Sequence, residues 1–433
     1  RDPEMSRGLG DVYKRQCSFR LASSVDELIS PVSPQGDDAD VQNALSSFVS
    51  GGYSLKTPSA GDFTTAYSFF DVDGDSAEEA VVFYEAEKTP GKSSMAVIDK
   101  VGGKWTVVYN INSEYSDVYS ISFSDLTGDG VNEFIVLWDV ISNSVNHVLY
   151  VYAQNLSGEY SLSPIGSELT VNNCITVDMD LDTVNEMLAF TIESGDSVSS
   201  TATLYEYSLN GRETLGRTKL DGHISYYSDI QYNVDEDRVY IYADAVKSDG
   251  TQMLTEVIYW SDYYDTIISP FYSYSNGTTS STVRSSMISC DDVDDDGIIE
   301  IPTDVQMDDI PSDVKAVEWN KYNDSVLVTA CYSLVVQKDQ YQLIIPDEYF
   351  DEIKVLYSPE SSLLTVTDDN DNSLFSVMCV LKAHYNPSSS AYKGFSEIDE
   401  SSGYVYLAQE GESGNADFSV QSVKSMIRTD KGE

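Results

Sequence analysis

The sequence predicts an all-β protein, a β-propeller of seven four-stranded blades preceded by a short helix. Three observations lead there. An acidic motif recurs at a steady pitch, each repeat unit reads as about four strands, and almost no helical periodicity interrupts them. Fixed periods of 40–60 residues mark repeat architectures. Radial closure of such repeats covers the sheet edges that a flat array would expose.

The repeat is legible in four copies. SFFDVDGDSAEEAVVFY holds Asp71, Asp73, Asp75 and Glu79, and ISFSDLTGDGVNEFIVLW holds Asp125, Thr127, Asp129 and Glu133. ITVDMDLDTVNEMLAF holds Asp178, Asp180, Asp182 and Glu186, and ISCDDVDDDGIIEIPT holds Asp292, Asp294, Asp296 and Glu300. The intervals between first aspartates are 54, 53 and 114 residues, the last being two units of 57. A degraded copy is therefore expected near 235, where YNVDEDRVYIYADA supplies Asp235 and Asp237. Beyond Glu300, IPDEYFDEIKVLYS around Asp347 and SGYVYLAQ around Tyr404 fall where two further units belong.

Within a unit the strands follow from pattern. An alternating run such as TTAYSFF or DVYSISF precedes the acidic turn, and a short β-rich apolar run such as EAVVFY or EFIVLW follows it. In the first unit SMAVIDK, Gly102-Gly103 and KWTVVYNI then read as an outer hairpin; in the third, TATLYEY and Leu209-Asn210-Gly211 begin the same hairpin. The propeller spans 53–433. Ahead of it, residues 37–52 read as a short amphipathic helix, with an Asp-rich start, apolar Val41, Ala44, Leu45 and Phe48, and a Gly-Gly stop. This helix either packs on the propeller or leads into a strand that closes the ring. VQSVKSMIRT, at 420–429, reads as another short helix.

Charge excludes some function classes. Of 433 residues, 72 are Asp or Glu and 25 are Lys or Arg, a formal net charge of −47. Nucleic acid and anionic membrane surfaces are poor partners for such a chain, since phosphate binding needs clustered cations. A hydrophobic fraction of 41% and 31 tyrosines mark it as globular, not as a disordered acidic chain. No apolar run of 18 residues occurs. Residues 1–16 hold Arg1, Arg7, Lys14 and Arg15 and read as a linker-like tail outside the fold. Cys17 opens CSFRLASSVDELISPVSP, which looks like the mature start of a bacterial lipoprotein: an acylated cysteine, then a Ser/Pro-rich tether over 17–36. An ordinary free thiol is the alternative. Cys174, Cys290, Cys331 and Cys379 show no C-x-x-C pair, so buried free thiols are expected.

The acids at positions 1, 3, 5 and 9 of each turn offer alternate carboxylates converging on one point, as a calcium ion with its six to eight oxygen ligands requires. Position 12, where an EF-hand has its closing Glu, holds Val82, Val136, Ala189 and Thr303, so these are not EF-hands. The competing reading is that Asp caps backbone N–H groups in a turn without any metal. D-x-D-G-D-x-x-x-E between two strands, repeated at this pitch, resembles the FG-GAP repeat of integrin α-chain propellers and the related VCBS repeats of bacterial surface proteins. The resemblance covers roughly 53–310. It implies a loop joining the first two strands of a blade and holding structural calcium. By position it offers Asp71, Asp73, Asp75 and Glu79; Asp125, Asp129 and Glu133, with Thr127 in place of an acid; Asp178, Asp180, Asp182 and Glu186, with Leu181 and Thr183 where the family favours glycine; and Asp292, Asp294, Asp296 and Glu300.

Catalytic motifs are not evident. His147, His223 and His384 are far apart, and no H-E-x-x-H, G-x-S-x-G or Walker A string occurs. The expectation is a monomeric, calcium-stabilised binding scaffold on the extracellular face of a bacterial membrane. It would be held there only by a lipid on Cys17, with a polysaccharide or protein partner. A carbohydrate-active enzyme, hydrolase or lyase, with its site on the propeller axis is the alternative. Tyr226, Tyr227, Tyr232, Tyr259, Trp260, Tyr263, Tyr264, Phe271, Tyr272 and Tyr274 gather in one third of the chain. Such rings either stack on a ligand or face the next blade.

Overall fold

The computed structural model describes residues 36–141, 145–155, 161–193, 198–235 and 238–429. The linker-like tail, the tether with Cys17, and Asp237 lie outside these. The apolar runs that follow the acidic turns become strands buried on both faces. Glu79–Ala86 is buried over its first six residues and Glu133–Asp139 along its whole length. A continuous apolar run, without polar alternation, is what a strand covered on both sides needs. Gly102 and Gly103, at φ of 62° and 80°, turn Ser93–Val101 into Lys104–Asn112. Two consecutive residues at positive φ give the hairpin turn whose twist suits antiparallel strands, and glycine adopts them without a Cβ clash.

The described residues form six antiparallel sheets of four or five strands and a small two-stranded ribbon. The third sheet shows the plan most simply: Asn173–Val177, Glu186–Glu193, Ser199–Ser208 and Gly211–Leu220 lie side by side in chain order. In the first sheet, Tyr53–Lys56 and Ser68–Phe70 share the edge of Glu79–Ala86, followed by Ser93–Val101 and Lys104–Asn112. The second runs Asp117–Ser124, Glu133–Asp139 and His147–Asn155, with Ser161–Pro164 and Leu169–Val171 sharing its outer edge. The fourth runs Ile224–Asp235, Arg238–Lys247, Met253–Ser261 and Thr266–Ile268. Its first hairpin turns at Asp235↔Arg238, where the degraded acidic copy is expected.

The last third departs from equal units. The fifth sheet orders Ile301–Asp304, Lys315–Asn323, Val326–Val336 and Tyr341–Ile345, then takes Ile427–Thr429 from the far end of the chain. Asp347 lies in a one-turn helix, Asp347–Phe350, between the fifth and sixth sheets, and Tyr404 opens an inner strand of the sixth. Seven units of about 54 residues thus meet six sheets of unequal size. The expected helix at 420–429 is Val420–Met426, and its last three residues form the strand that returns to the fifth sheet.

The core is a series of layers between successive sheets. Phe83 and Met95 of the first pack on Phe134 and Trp138 of the second, with the Phe83 and Trp138 rings edge to face at 5.6 Å. Ile135 and Leu149 of the second meet Met187 and Ala189 of the third, whose other face sets Leu188 and Phe190 on Ile241 and Leu254 of the fourth. Val257 and Tyr242 meet Ile301 and Tyr322 of the fifth, and Leu334 and Leu343 join the sixth through Val355, Val366 and Phe375. Helix Asp37–Phe48 covers the remaining face of the first sheet: Val41 and Leu45 are fully buried against Val82, Ala96 and Trp105, while Phe48 is exposed. The helix therefore packs on the first sheet, and Tyr53–Lys56 after it pairs inside that sheet. No hydrophobic cluster among the described residues joins the sixth sheet to the first.

One buried ion pair ties the connection from the fourth sheet to the fifth. Arg284 and Asp244 are each 1% exposed. Arg284 Nη2 donates to Asp244 Oδ1 at 2.7 Å and Nη1 to Thr255 Oγ1 at 2.9 Å, while the Cys290 amide donates to Asp244 Oδ2 at 2.7 Å. Removing one partner strands a buried charge. Asp244→Ala should cost about 3–5 kcal/mol in urea unfolding, and Asp244→Leu combined with Arg284→Met should recover most of it. Equal losses in the single and double variants would show that the pair does not carry the connection.

Candidate metal centres

Each of the four acidic turns sits at the head of a strand that begins with its glutamate or directly after it. Glu79, Glu133 and Glu186 open the second strand of the first three sheets. Glu300, bridged to Asp291, precedes Ile301–Asp304 of the fifth. In chain order these turns are the first, second, third and fourth loops.

A common hydrogen-bond scheme builds all four. The residue at position 2 is apolar and buried (Val72, Leu126, Met179, Val293), which pulls the loop onto the core. Its amide donates to Oε2 of the position 9 glutamate at 2.8, 2.8, 2.8 and 2.9 Å. The first aspartate accepts the amide of position 6 at 2.9, 2.8, 2.9 and 2.8 Å. The position 5 aspartate accepts the amide of position 7 at 2.7, 2.9, 2.8 and 3.0 Å. Much of the acidity therefore shapes the turn, as the metal-free reading expects. Positions 4 and 6 are left-handed in every copy. Gly74, Gly128 and Gly130 occupy them, and so do Leu181 at φ 62° and Thr183 at φ 83°. The third loop keeps the shared shape without its glycines, at a backbone cost of about 1–3 kcal/mol for a β-branched residue there.

Successive loops touch. A Cβ on Gly128 would come within 2.9 Å of Val184, and one on Gly74 would lie 3.9 Å from the Gly130 carbonyl. Asn185 Nδ2 donates to Ser124 Oγ at 2.9 Å, and the Ile299 amide donates to Asn233 Oδ1 at 3.1 Å, joining the fourth loop to the fourth sheet. The acidic tips thus line one end of the stack.

The loops differ in what surrounds their carboxylates. Asp71, Asp73 and Glu79 offer oxygens within 4.8 Å of one another, as do Asp178, Asp180 and Glu186, and Asp292, Asp294 and Glu300. The position 5 acids Asp75, Asp182 and Asp296 stand outside these triads, and Asp125, Asp129 and Glu133 form none. Glu79 is 4% exposed and Glu300 0%, and the Oε1 of each receives no hydrogen bond among the described residues. In the second loop the Thr127 hydroxyl donates to Glu133 Oε1 at 3.3 Å. In the fourth, Lys321 Nζ lies 2.9 Å from Asp294, 2.5 Å from Asp296 and 3.3 Å from Glu300. Burial pushes all four glutamates up to about 7. Asp73 and Asp99 add to this at Glu79, and Lys321 opposes it at Glu300. Carboxylates 4 Å apart at a protein surface repel by about 4 kcal/mol. An orphaned buried carboxylate oxygen facing two further acids fits a hard cation with oxygen ligands. Lys321 was not among the residues singled out from the sequence. Its signal was the strand register, with Lys321 standing 21 residues after Glu300 and Asp99 standing 20 after Glu79.

The remaining sequence candidates disperse. His147 is buried against Asp139, His223 stands beside Asp221, and His384 lies in a short turn after the strand Ser373–Leu381. Cys174, Cys290, Cys331 and Cys379 are free thiols. Tyr259, Tyr322, Tyr240 and Phe271 pack on one another between the fourth and fifth sheets, and Tyr227 is buried. Tyr226, Tyr232, Tyr263, Tyr264 and Tyr274 stay exposed, Tyr263 at 87%. No helix among the described residues is long and apolar enough to cross a membrane.

No protein-family model matches the chain, and no curated protein does. Among solved structures, it is similar to the crystal structure of Sqt1 from Chaetomium thermophilum, at 7% identity and a TM-score of 0.33, over 77% of this chain and 93% of that one. A likeness at that level assigns neither fold nor function.

The glutamates make stability depend on pH. Their folded-state values lie above the ordinary 4.5, so the folded chain holds extra protons between there and about 7. The stabilisation this gives is complete below the ordinary value and lost as pH rises through about 7. In excess EDTA the melting temperature should fall between about pH 5 and pH 8, and excess calcium should flatten the fall. A flat profile in EDTA would mean that the four groups titrate normally.

Proposed function

We propose that this chain is an extracellular binding scaffold, a β-propeller-class array related to FG-GAP and VCBS repeats and stabilised by structural calcium. The observation that carries the reading is the recurrence of one hydrogen-bonded acidic loop at or just before the head of a strand in the first, second, third and fifth sheets. Asp71, Asp73 and Glu79, and Asp178, Asp180 and Glu186, would hold the ion. Bound calcium would supply the positive charge, and the carboxylate oxygens of these triads would coordinate it. The chain's own part is to bury each glutamate, aim it by the position 2 amide, and fix the turn through the first aspartate.

A net charge of −47 and weak cation sites suit a medium where calcium is millimolar, since extracellular modules bind it at about 10⁻⁴–10⁻³ M. A lipid on Cys17 would tether the scaffold, and Tyr263, Tyr264 and Tyr274 offer exposed rings to a polysaccharide or protein partner.

Three measurements test this proposal. Chelation should lower the melting temperature, and Asp73→Asn with Asp180→Asn should reproduce the loss. The native chain should then bind members of a glycan and peptide array in millimolar calcium; an array with no bound ligand, or a melt indifferent to EDTA, would remove the scaffold or the calcium part respectively. Mass spectrometry of the native membrane-extracted protein should find a diacylglycerol adduct on Cys17, and an unmodified Cys17 peptide would remove the anchor.

A further inference from the structure

The four loops share a backbone scheme but not a counter-charge, and one cross-strand position separates them. Ala80 pairs with Ile98, Phe134 with Tyr152, Met187 with Tyr205, and Ile301 with Asn320. One further step in each register sets Asp99 opposite Glu79, Ala153 opposite Glu133, Glu206 opposite Glu186 and Lys321 opposite Glu300. Antiparallel partners project on the same face of a sheet, so this residue faces the loop's glutamate. The first loop therefore meets a further acid there, Asp99, which acts on Glu79; the second meets a methyl group and the fourth an ammonium, while the third has the exposed Glu206 at that register and no cation.

The ammonium is well placed to stand in for an ion. A lysine has three N–H donors and no acceptor. Lys321 Nζ meets three carboxylates of the fourth loop, at 2.9 Å from Asp294, 2.5 Å from Asp296 and 3.3 Å from Glu300. Two of these belong to the triad that offers its oxygens to a metal. Arg428, on the strand returned from the chain end, adds a second cation at 3.1 Å from Asp295. The other triads have no such lysine or arginine contact among the described residues.

We infer that Lys321 is a built-in counter-ion occupying the cation position of the fourth loop, so that this loop is calcium-independent while the first and third loops take calcium. The inference deepens the calcium reading and rests on it for the first and third loops. The fourth loop is thus a latent calcium site, closed by a side chain of its own sheet. Asp292, Asp294 and Glu300 would coordinate the ion once the ammonium is gone.

The experiment is calcium titration calorimetry on the full chain after EDTA treatment and dialysis, comparing the native protein with Lys321→Met, Lys321→Gln and Lys321→Arg. The neutral variants should bind one more equivalent of calcium than the native chain, and Lys321→Arg, which keeps the charge, should bind no more. A neutral variant that folds only in calcium would support the inference, because the loop would then have exchanged one cation for another. Native binding with no gain in either neutral variant would overturn the inference and leave the calcium reading standing. A native chain that binds no calcium, beside neutral variants that bind one equivalent, would uphold the role of Lys321 and sink calcium at the first and third loops. A gain in Lys321→Arg equal to that of the neutral variants would overturn the inference, since charge would then not be what closes the site.

Discussion

The structure turns on a carboxylate that has been taken out of water. In each acidic loop, a glutamate at or just before the head of a strand is 0–4% exposed, held by the amide of a buried apolar residue seven positions earlier. That single hydrogen bond closes the loop onto the core. It also commits the protein to a buried acid beside several others, and burying a charge is costly unless something answers it. Most of what distinguishes one loop from the next is the choice of answer. A proton can serve for any of them at low pH. A hydroxyl from Thr127 serves in the second, and an ammonium from Lys321 in the fourth.

The sheets around the loops are held by a different logic. Inner strands are apolar on both faces because each lies between two neighbouring layers, and each layer is filled by side chains from successive sheets. Two of the layers are completed by helices. In one, helix Asp37–Phe48 covers the first sheet with Val41 and Leu45. In the other, Val420–Met426 packs under the fifth and sixth sheets, and Ile427–Thr429 adds a strand to the fifth. The second device also brings Arg428 to the fourth loop, so that the chain end contributes to both sheet and charge balance.

Crowding of acids at one end of the stack follows from both features together. Because the first three loops head the same strand in successive sheets, stacking those sheets sets the tips in contact, as Gly128 against Val184 shows. Long-range repulsion among them is screened beyond about 8–10 Å in physiological salt, but within one loop it is not. Local compensation is therefore what matters, and it differs residue by residue.

Much was readable in the sequence because it is local. Strand positions, the Gly102-Gly103 turn, the helix near 37–48 and the position of the acidic loops all follow from patterns a few residues long, and the 54-residue pitch relates one copy to the next. The degraded copy near 235 could be placed for the same reason. Other features depend on residues that meet only after folding. The last third breaks the pitch because Ile427–Thr429 pairs across more than 80 residues with Tyr341–Ile345, which no periodicity encodes. Phe48 matches the apolar stripe yet stays exposed, while Val41 and Leu45 are fully buried. Motif spacing made the four loops look alike, and cross-strand register made them unlike. Whether a buried glutamate faces Asp99 or Lys321 is decided one strand away, where the fold, and not the motif, brings opposite or like charges together.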